Sequence, residues 1–449
     1  MSEPCHLQKK SLIVFELNEF NEDLLETAAK QYDLKNILAL LSYPKTYIRS
    51  SSATKPKAIH PAEQWESLHT GQKSNTHGVN RLGTQYSPQR SVAYWETLLA
   101  KHHTVGLWGV INAEKPKNKY CPFFLPDLWQ SKKSAYPKAL TPFISLPRYL
   151  TKNYPYFTPN VLIRKLIHFI TFIKNSGMAK KISIEFIKLF LQLIYSAPRT
   201  LLFVCFYDLI SCLLFTGQLK KNPVHLSLFF ANSLAYLQHY YWKQGKWVTT
   251  APLLHGLKII DRMVGMLRQF EDTHHIILLN GLTQENRQHQ AEQIIYKIKD
   301  PAQFFRYMAL SPTSVDALSP SHGLVYFDNA LACTEAMTIL NQAKLGHAPL
   351  FIAKIVEDYP HALYYTISLN TVVTKDAFFE LQGTEFRFSN YFKAIYTVTG
   401  KHHNQGVLYS QGITFPKTVS PELFSQYILN YYEPEPAHTP SPIHQVEYA

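Results

Sequence analysis

The first apolar run of the chain, Leu12–Leu17 in "SLIVFEL", is nearly continuous, which is the pattern of a strand buried on both faces. It runs straight into Asn18, Glu19, Asn21, Glu22 and Asp23 before an apolar periodicity resumes at Leu24 and Leu25. Up to residue 110, strand-like runs ("LIVFEL", "HTVGLWGV") alternate with helical ones ("AEQWESLHTG", "VAYWETLLAKH"). That alternation predicts βαβ units and a mostly parallel sheet. In such sheets ligands gather past the carboxyl ends of strands, so the polar cluster after the first run is the first candidate site.

From about residue 111 the pattern changes. Pro-rich loops ("NAEKPKNKYCPFFLPDLW", "AYPKALTPFISLPRYL") lead into three helix-period segments, "NVLIRKLIHFITFIKN", "KKISIEFIKLFLQLIYS" and "RTLLFVCFYDLISCLLF". They predict a helical insertion over 111–225. The α/β rhythm returns over 226–432, with strands at "HLSLFFAN", "HHIILLNG", "PLFIAKIV", "ALYYTISL" and "GVLYSQG" and a helix at "LLHGLKIIDRMVGMLRQF". The tail, 433–449, is Pro-rich and expected to be disordered. The expected fold class is therefore α/β, in two parts (1–110 and 226–432) with the insertion between them.

Composition adds a partner. Of the formal net charge of +13, the excess sits mainly in residues 151–250, which hold twelve Lys/Arg against only Glu185 and Asp208. A basic, apolar segment suits an anionic membrane surface, reached through 151–225, or is a solvated helical face. Nucleic acid is disfavoured because no recognition motif accompanies the charge. The five cysteines are scattered without a CxxC pair, which argues against a disulfide framework or a cysteine zinc site. The first ten residues lack the apolar core of a signal peptide, and the apolar stretch 200–217 is short and contains Asp208. These features lead us to expect a cytoplasmic protein, peripheral at a membrane at most. P-loop, HExxH and GxGxxG signatures are missing.

Four segments carry a more specific signal: "HPAEQWESLHTGQKSNTHGVNRLG" (60–83), "NSLAYLQHYYW" (232–242), "GLKIIDRMVGML" (256–267) and "GKHHNQGVLYSQG" (400–412). In this order they resemble the motifs of type I phosphodiesterases (nucleotide pyrophosphatase-like) of the alkaline phosphatase superfamily, through Trp65, Thr70-Gly71, His77-Gly78, His239, Asp261, Gly265, His402 and Gly406. The resemblance extends to a bacterial branch with "ELNE" on the first strand, matched by Glu16 to Glu19, and with Gln64-Trp65, Asn232 and Gln284 in corresponding places. It implies a three-layer α/β/α sandwich around a mostly parallel sheet, and chemistry on phosphoric or sulfuric esters with two zinc ions.

The chain departs from that family where charge is needed. Asn18 stands at the first metal-binding Asp, Pro61 at the nucleophile with His60 beside it, Ala235 at a second Asp, and Asn280-Gly281-Leu282 at a ligand pair. The resemblance thus implies a degenerate metal site: two histidines, His239 and His402, holding at most one zinc weakly unless Glu16, Glu19 or another acid completes it. The expected function is to act on, or recognise, a phosphorylated or sulfated small molecule, glycan or lipid. The rival is a pseudoenzyme that binds membrane or partner through its basic insertion. If the chain is catalytic, His60 or His239 is the general base or nucleophile with Glu19 orienting it. Glu16, Asn18, Asn232 and Gln284 are the expected substrate contacts. Local roles compete with these: Asn18 as cap of the helix starting near Asn21, His239 and His402 as core histidines, Asp261 as an ion pair or cap. Glu16 resists such a reading, because a carboxylate inside a buried strand needs a partner.

Overall fold

The computed structural model describes residues 9–49, 60–79, 82, 91–130, 133–153, 157–194, 199–242, 251–286, 293–356 and 359–433. The tail from 434 on lies outside them, as do Ser50–Ser52 and Thr54, the hydroxyls that most closely precede Pro61 in sequence, and Arg81 and Gly83 at the end of the 60–83 segment.

The run Ser11–Leu17 forms β1, the middle of an eight-stranded sheet. The other strands are β2 (Lys45–Arg49), β3 (Val105–Trp108), β4 (Phe123–Leu125), β5 (Leu226–Ala231), β6 (His274–Leu279), β9 (Gln405–Ser410) and β10 (Thr418–Val419). A separate hairpin-like pair, β7 (Thr283–Asn286) with β8 (Gly400–His403), lies beside them. The sheet order is β10-β2-β9-β6-β1-β5-β3-β4. Only β9 runs against the rest; every other pairing in the sheet is parallel.

Nearly continuous apolar strands are needed because both faces of the sheet are covered. Ile13, Phe15 and Leu17 of β1 share one core with α1 (Glu22–Gln31), α6 (Arg199–Lys221) and α8 (Ala251–Arg268). Leu12 and Val14 point the other way, into a core with α2 (Pro61–Thr70), α3 (Tyr94–Ala100) and α9 (Pro421–Tyr432). Helices, sheet, helices: the three-layer α/β/α arrangement expected from the sequence is present. The "HTG" motif has a packing reason. Gly71 ends α2 at φ +70, and a Cβ there would meet Ser425 Oγ at 2.6 Å and the Glu422 carbonyl at 3.1 Å, so only glycine lets α2 approach α9.

Two parts of the expected organisation differ. The segment 111–225 is not a separate helical unit. β4 is the edge strand of the main sheet, and Leu209, Ile210, Leu213 and Phe215 of α6 are buried in its core. Among the described residues of this segment, α4 (Pro159–Asn175) and α5 (Ala179–Ile194) form an outer layer with exposed faces. The span 226–432 is likewise not one α/β part. Phe351–Val356 and Tyr359–Ile367 pair antiparallel in a four-stranded sheet of their own. They belong to a smaller lobe whose core contains Phe304, Phe351, Leu363, Phe379 and Phe392. The reason is visible in burial: Phe351 and Ala353 are inside while Ile352 and Lys354 are outside, a one-sided strand rather than a sandwiched one.

Candidate functional site

β1 ends in a tight loop that the surrounding elements hold from three sides. Asn18 N–H donates to the Ala231 carbonyl at the end of β5, 2.9 Å away. Glu19 follows in the left-handed region, φ +56, where a bulky residue is disfavoured by steric contact with its own backbone. Gln238, fully buried on α7 (Ser233–Tyr241), clasps this turn: its Nε2 donates to the Glu19 carbonyl at 2.7 Å and its Oε1 accepts from Asn21 N–H at 2.9 Å. Asn280, at the end of β6, holds it from the other side, donating to the Phe20 carbonyl at 2.6 Å and accepting from Val407 N–H at 2.6 Å. Both polar atoms of Asn280 are therefore spent on backbone.

The clasped turn aims the Glu19 carboxylate between two imidazoles. Its Oε2 lies 3.0 Å from His239 Nε2 and 3.1 Å from His402 Nε2, and the two Nε2 atoms are 3.2 Å apart. His239 comes from α7 and His402 from β8, so the turn after β1, the helix layer and the β7–β8 pair each supply one group. Glu19 is buried, whereas both histidine side chains are 24% exposed at the cleft. Burial alone would raise the Glu19 pKa, but the His402 and His239 charges and hydrogen bonds outweigh it and hold the carboxyl well below its ordinary value. Partial burial of the His402 imidazole opposes its protonation, yet the charge and hydrogen bond of Glu19 carry its pKa above the usual value.

This donor set suits a cation. Among the described residues, Glu19, His239 and His402 are the group of ligand-type atoms that lie within 4.8 Å of one another. Tetrahedral ligands about 2.0–2.1 Å from zinc sit roughly 3.3 Å from each other, close to the three separations observed. Two histidines and a carboxylate with a fourth position open is a known zinc set. The carboxylate is also supported as metal-binding carboxylates are: Gln284 Nε2 donates to Oε2 at 2.6 Å and Asn18 Nδ2 to Oε1 at 2.9 Å.

The remaining sequence candidates fall into place around this triad. Asn18 does not cap the helix; Asn21 does, accepting from Leu24 N–H at 2.9 Å. Nor does Asn18 offer a group to substrate. Its Oδ1 accepts from Trp65 Nε1–H at 2.8 Å and its amide donates to Glu19 and to Asn232 Oδ1, the latter at 2.8 Å. Gln284 is fully buried, its amide N–H groups directed at Glu19 and the Ala235 carbonyl. Both side chains position Glu19. Asn232 is different: it lies at the cleft edge, held by the backbone bonds from Asn232 and Ser233 N–H (2.9 and 2.7 Å) to the buried Asp208 carboxylate of α6. Glu16 is not in the cleft. It faces the opposite side of the sheet, fully buried, 2.8 Å from His69 Nε2 on α2. Asp261 caps the helix Lys35–Leu41 by accepting from Asn36 and Ile37 N–H at 2.9 and 3.0 Å.

His60 also changes role. It is the N-cap of α2, its Nδ1 accepting from Ala62 N–H at 3.1 Å. Burial first, and the neighbouring His402 second, push its pKa down to about 4. A neutral imidazole whose Nδ1 lone pair is engaged carries its proton on Nε2. At neutral pH it is a hydrogen-bond donor, so the expected general base cannot act through that nitrogen. Pro61, next to His60, is buried at the first turn of α2 and offers no hydroxyl.

Sequence reading missed Gln238 and Asp208 as site-forming residues. Gln238 precedes His239 in "LQHYY", and the clue was there: a polar amide inside an otherwise apolar helix needs a partner.

The ionic part of the triad has a pH signature. Glu19's lowered pKa contributes stability that is complete above its ordinary value of 4.5 and lost as pH falls through the folded value. His402's raised pKa contributes stability that is complete below 6.5 and lost as pH rises through the folded value. The unfolding free energy lost in Glu19→Gln, measured with chelator present, should be largest between pH 4.5 and 6.5 and shrink on both sides. A difference independent of pH would contradict the pairing.

No family model and no curated protein matches the chain. Among solved structures, murine ectonucleotide pyrophosphatase/phosphodiesterase 5 aligns over 96% of this chain and 98% of its own at 9% identity, with a TM-score of 0.42. Phosphonoacetate hydrolase from Sinorhizobium meliloti, in complex with phosphonoacetate, aligns over 94% and 96% at 10% identity, with a TM-score of 0.43. At these scores the likeness lends no weight to any function, which has to be argued from the residues themselves.

Proposed function

We propose that this chain is an alkaline phosphatase-like protein that binds one zinc ion through Glu19, His239 and His402 and takes a phosphorylated or sulfated glycan or lipid at the carboxyl ends of its parallel strands. The observation that carries this is the convergence of two imidazoles and a preorganised carboxylate on one point. A dication there would supply Lewis-acid polarisation of an ester oxygen. The chain's own residues do the rest. Gln238 and Asn280 fix the turn, Asn18 and Gln284 orient the carboxylate, and His60 Nε2–H, with the Asn232 amide at the cleft edge, donates to oxygens of the bound ester.

Pro61 and the fully engaged Asn280 favour a second reading, in which the site binds its ester without turnover. Zinc content by mass spectrometry, followed by a screen of phosphodiesters, phosphomonoesters and sulfate esters with and without chelator, separates the two. Chelator-sensitive hydrolysis supports an enzyme, and stoichiometric zinc with ligand binding but no hydrolysis supports the binding protein. A chain that takes up no zinc overturns the assignment.

A further inference from the structure

α4 and α5 expose large apolar side chains as well as packing others inward. On α4, Phe169, Phe172 and Ile173 pack toward the main core, yet Ile163, Leu166, Ile167 and Ile170 form a second stripe on the exposed side, 44–57% exposed. Their spacing of three, one and three residues places them on one helical face. α5 repeats the arrangement with Ile184, Ile187 and Leu191, 41–57% exposed. The two helices touch each other, so seven large aliphatic side chains are presented from one helical pair. Scattered exposed leucines need no explanation; contiguous stripes on neighbouring helices do.

The polar residues between them are almost all of one sign. Residues 159–191 contain Arg164, Lys165, Lys174, Lys180, Lys181 and Lys188 against a single acid, Glu185. That acid is already engaged by Lys188 and by Arg262 of α8. A surface groove of about 360 Å³ on α4 is lined by Asn160, Ile163, Arg164, Ile167 and His168, which sets a cation beside aliphatic side chains. Among the described residues no helix is long and apolar enough to cross a membrane.

We infer that α4 and α5 lie flat on an anionic lipid surface, their aliphatic stripes inserted at the headgroup boundary and their lysines on the acidic headgroups. Aliphatic stripes flanked by basic residues are the physical signature of an interfacial helix. A second copy of the chain would bring one predominantly basic surface against another across a symmetric contact, which disfavours self-association. This surface is independent of the zinc triad, and its test leaves the triad untouched.

The experiment is co-sedimentation of the full chain with vesicles of phosphatidylcholine alone and with 30% phosphatidylglycerol, following the general dependence on lipid charge. Binding is expected to the anionic vesicles and not to the neutral ones. Changing Lys174, Lys180 and Lys181 to Gln should weaken it about five-fold per residue. Ile167→Gln with Ile170→Gln and Ile187→Gln should abolish it. Far-UV circular dichroism and the urea unfolding midpoint should be unchanged in both variants, which shows that they fold. Sedimentation that ignores both sets of substitutions overturns the proposal. So does a chain that shows no vesicle binding but is a dimer made monomeric by the three Ile→Gln changes.

Discussion

Replacing both imidazoles of the triad, His239→Ala with His402→Ala, should take the purified chain from about one zinc per molecule to none that survives dialysis. Two of three protein ligands are then gone, and a lone carboxylate leaves the ion mostly to water. The supporting residues should behave differently. Gln284→Leu removes the 2.6 Å bond to Glu19 Oε2, and Asn18→Ala removes the 2.9 Å bond to Oε1. Each should keep the stoichiometry while weakening affinity about 10–100-fold, the usual cost of losing such a partner. A competition titration with a chromophoric chelator reads both quantities. Full zinc retention in the double His variant would sink the triad, and unchanged affinity in the Gln284 and Asn18 variants would sink their positioning roles. All three variants leave the sheet core untouched, so circular dichroism should match the parent.

The largest stability effect is expected on the other face of the sheet. Glu16 and His69 meet at 2.8 Å with essentially no solvent exposure, and His69 is packed against the rings of Trp65 and Trp95 at 5.7 and 4.8 Å. His69→Leu strands the Glu16 carboxyl in an apolar layer and should cost about 3–5 kcal/mol, as for a buried pair broken on one side. Adding Glu16→Leu removes the orphaned group, and the double variant should recover most of that loss, because a buried polar pair contributes little net against apolar residues of similar volume. Urea unfolding of the three proteins tests this sign reversal. A double variant as unstable as His69→Leu would mean that packing of the imidazole between the tryptophans, and not its hydrogen bond, is what matters.

How much of this was legible beforehand differs from residue to residue. β1, β3, β5 and β6 were, because a strand covered on both faces leaves a continuous apolar run that nothing else produces at that length. β4 was not: "FFL" is three residues between prolines and carries too little periodicity. The strands Phe351–Val356 and Tyr359–Ile367 were seen as strands but assigned to the wrong sheet, since pairing partners are set by tertiary contacts far apart in sequence. In the site, His239, His402 and Glu19 were legible as residue types at motif positions. Their meeting within about one bond length of a common centre was not, because it depends on the left-handed turn at Glu19. Asn18 and Gln284 were misread for the complementary reason. A sequence shows that a side chain can form hydrogen bonds, but not that its neighbours have already used them.

The three groups of the triad belong to different parts of the protein: Glu19 to the turn that ends the central strand, His239 to a covering helix, and His402 to the antiparallel strand pair through which the chain enters and leaves the smaller lobe. Anything that binds them together also rivets the lobe to the sheet, so occupancy of the site becomes a mechanical property as well as a chemical one. Stripping the ion should let the β7–β8 pair breathe. Amides of Thr283–Asn286 and Gly400–His403 should exchange faster while those of β1 keep their pace, and equal protection with and without metal would show that the lobe is held by other means.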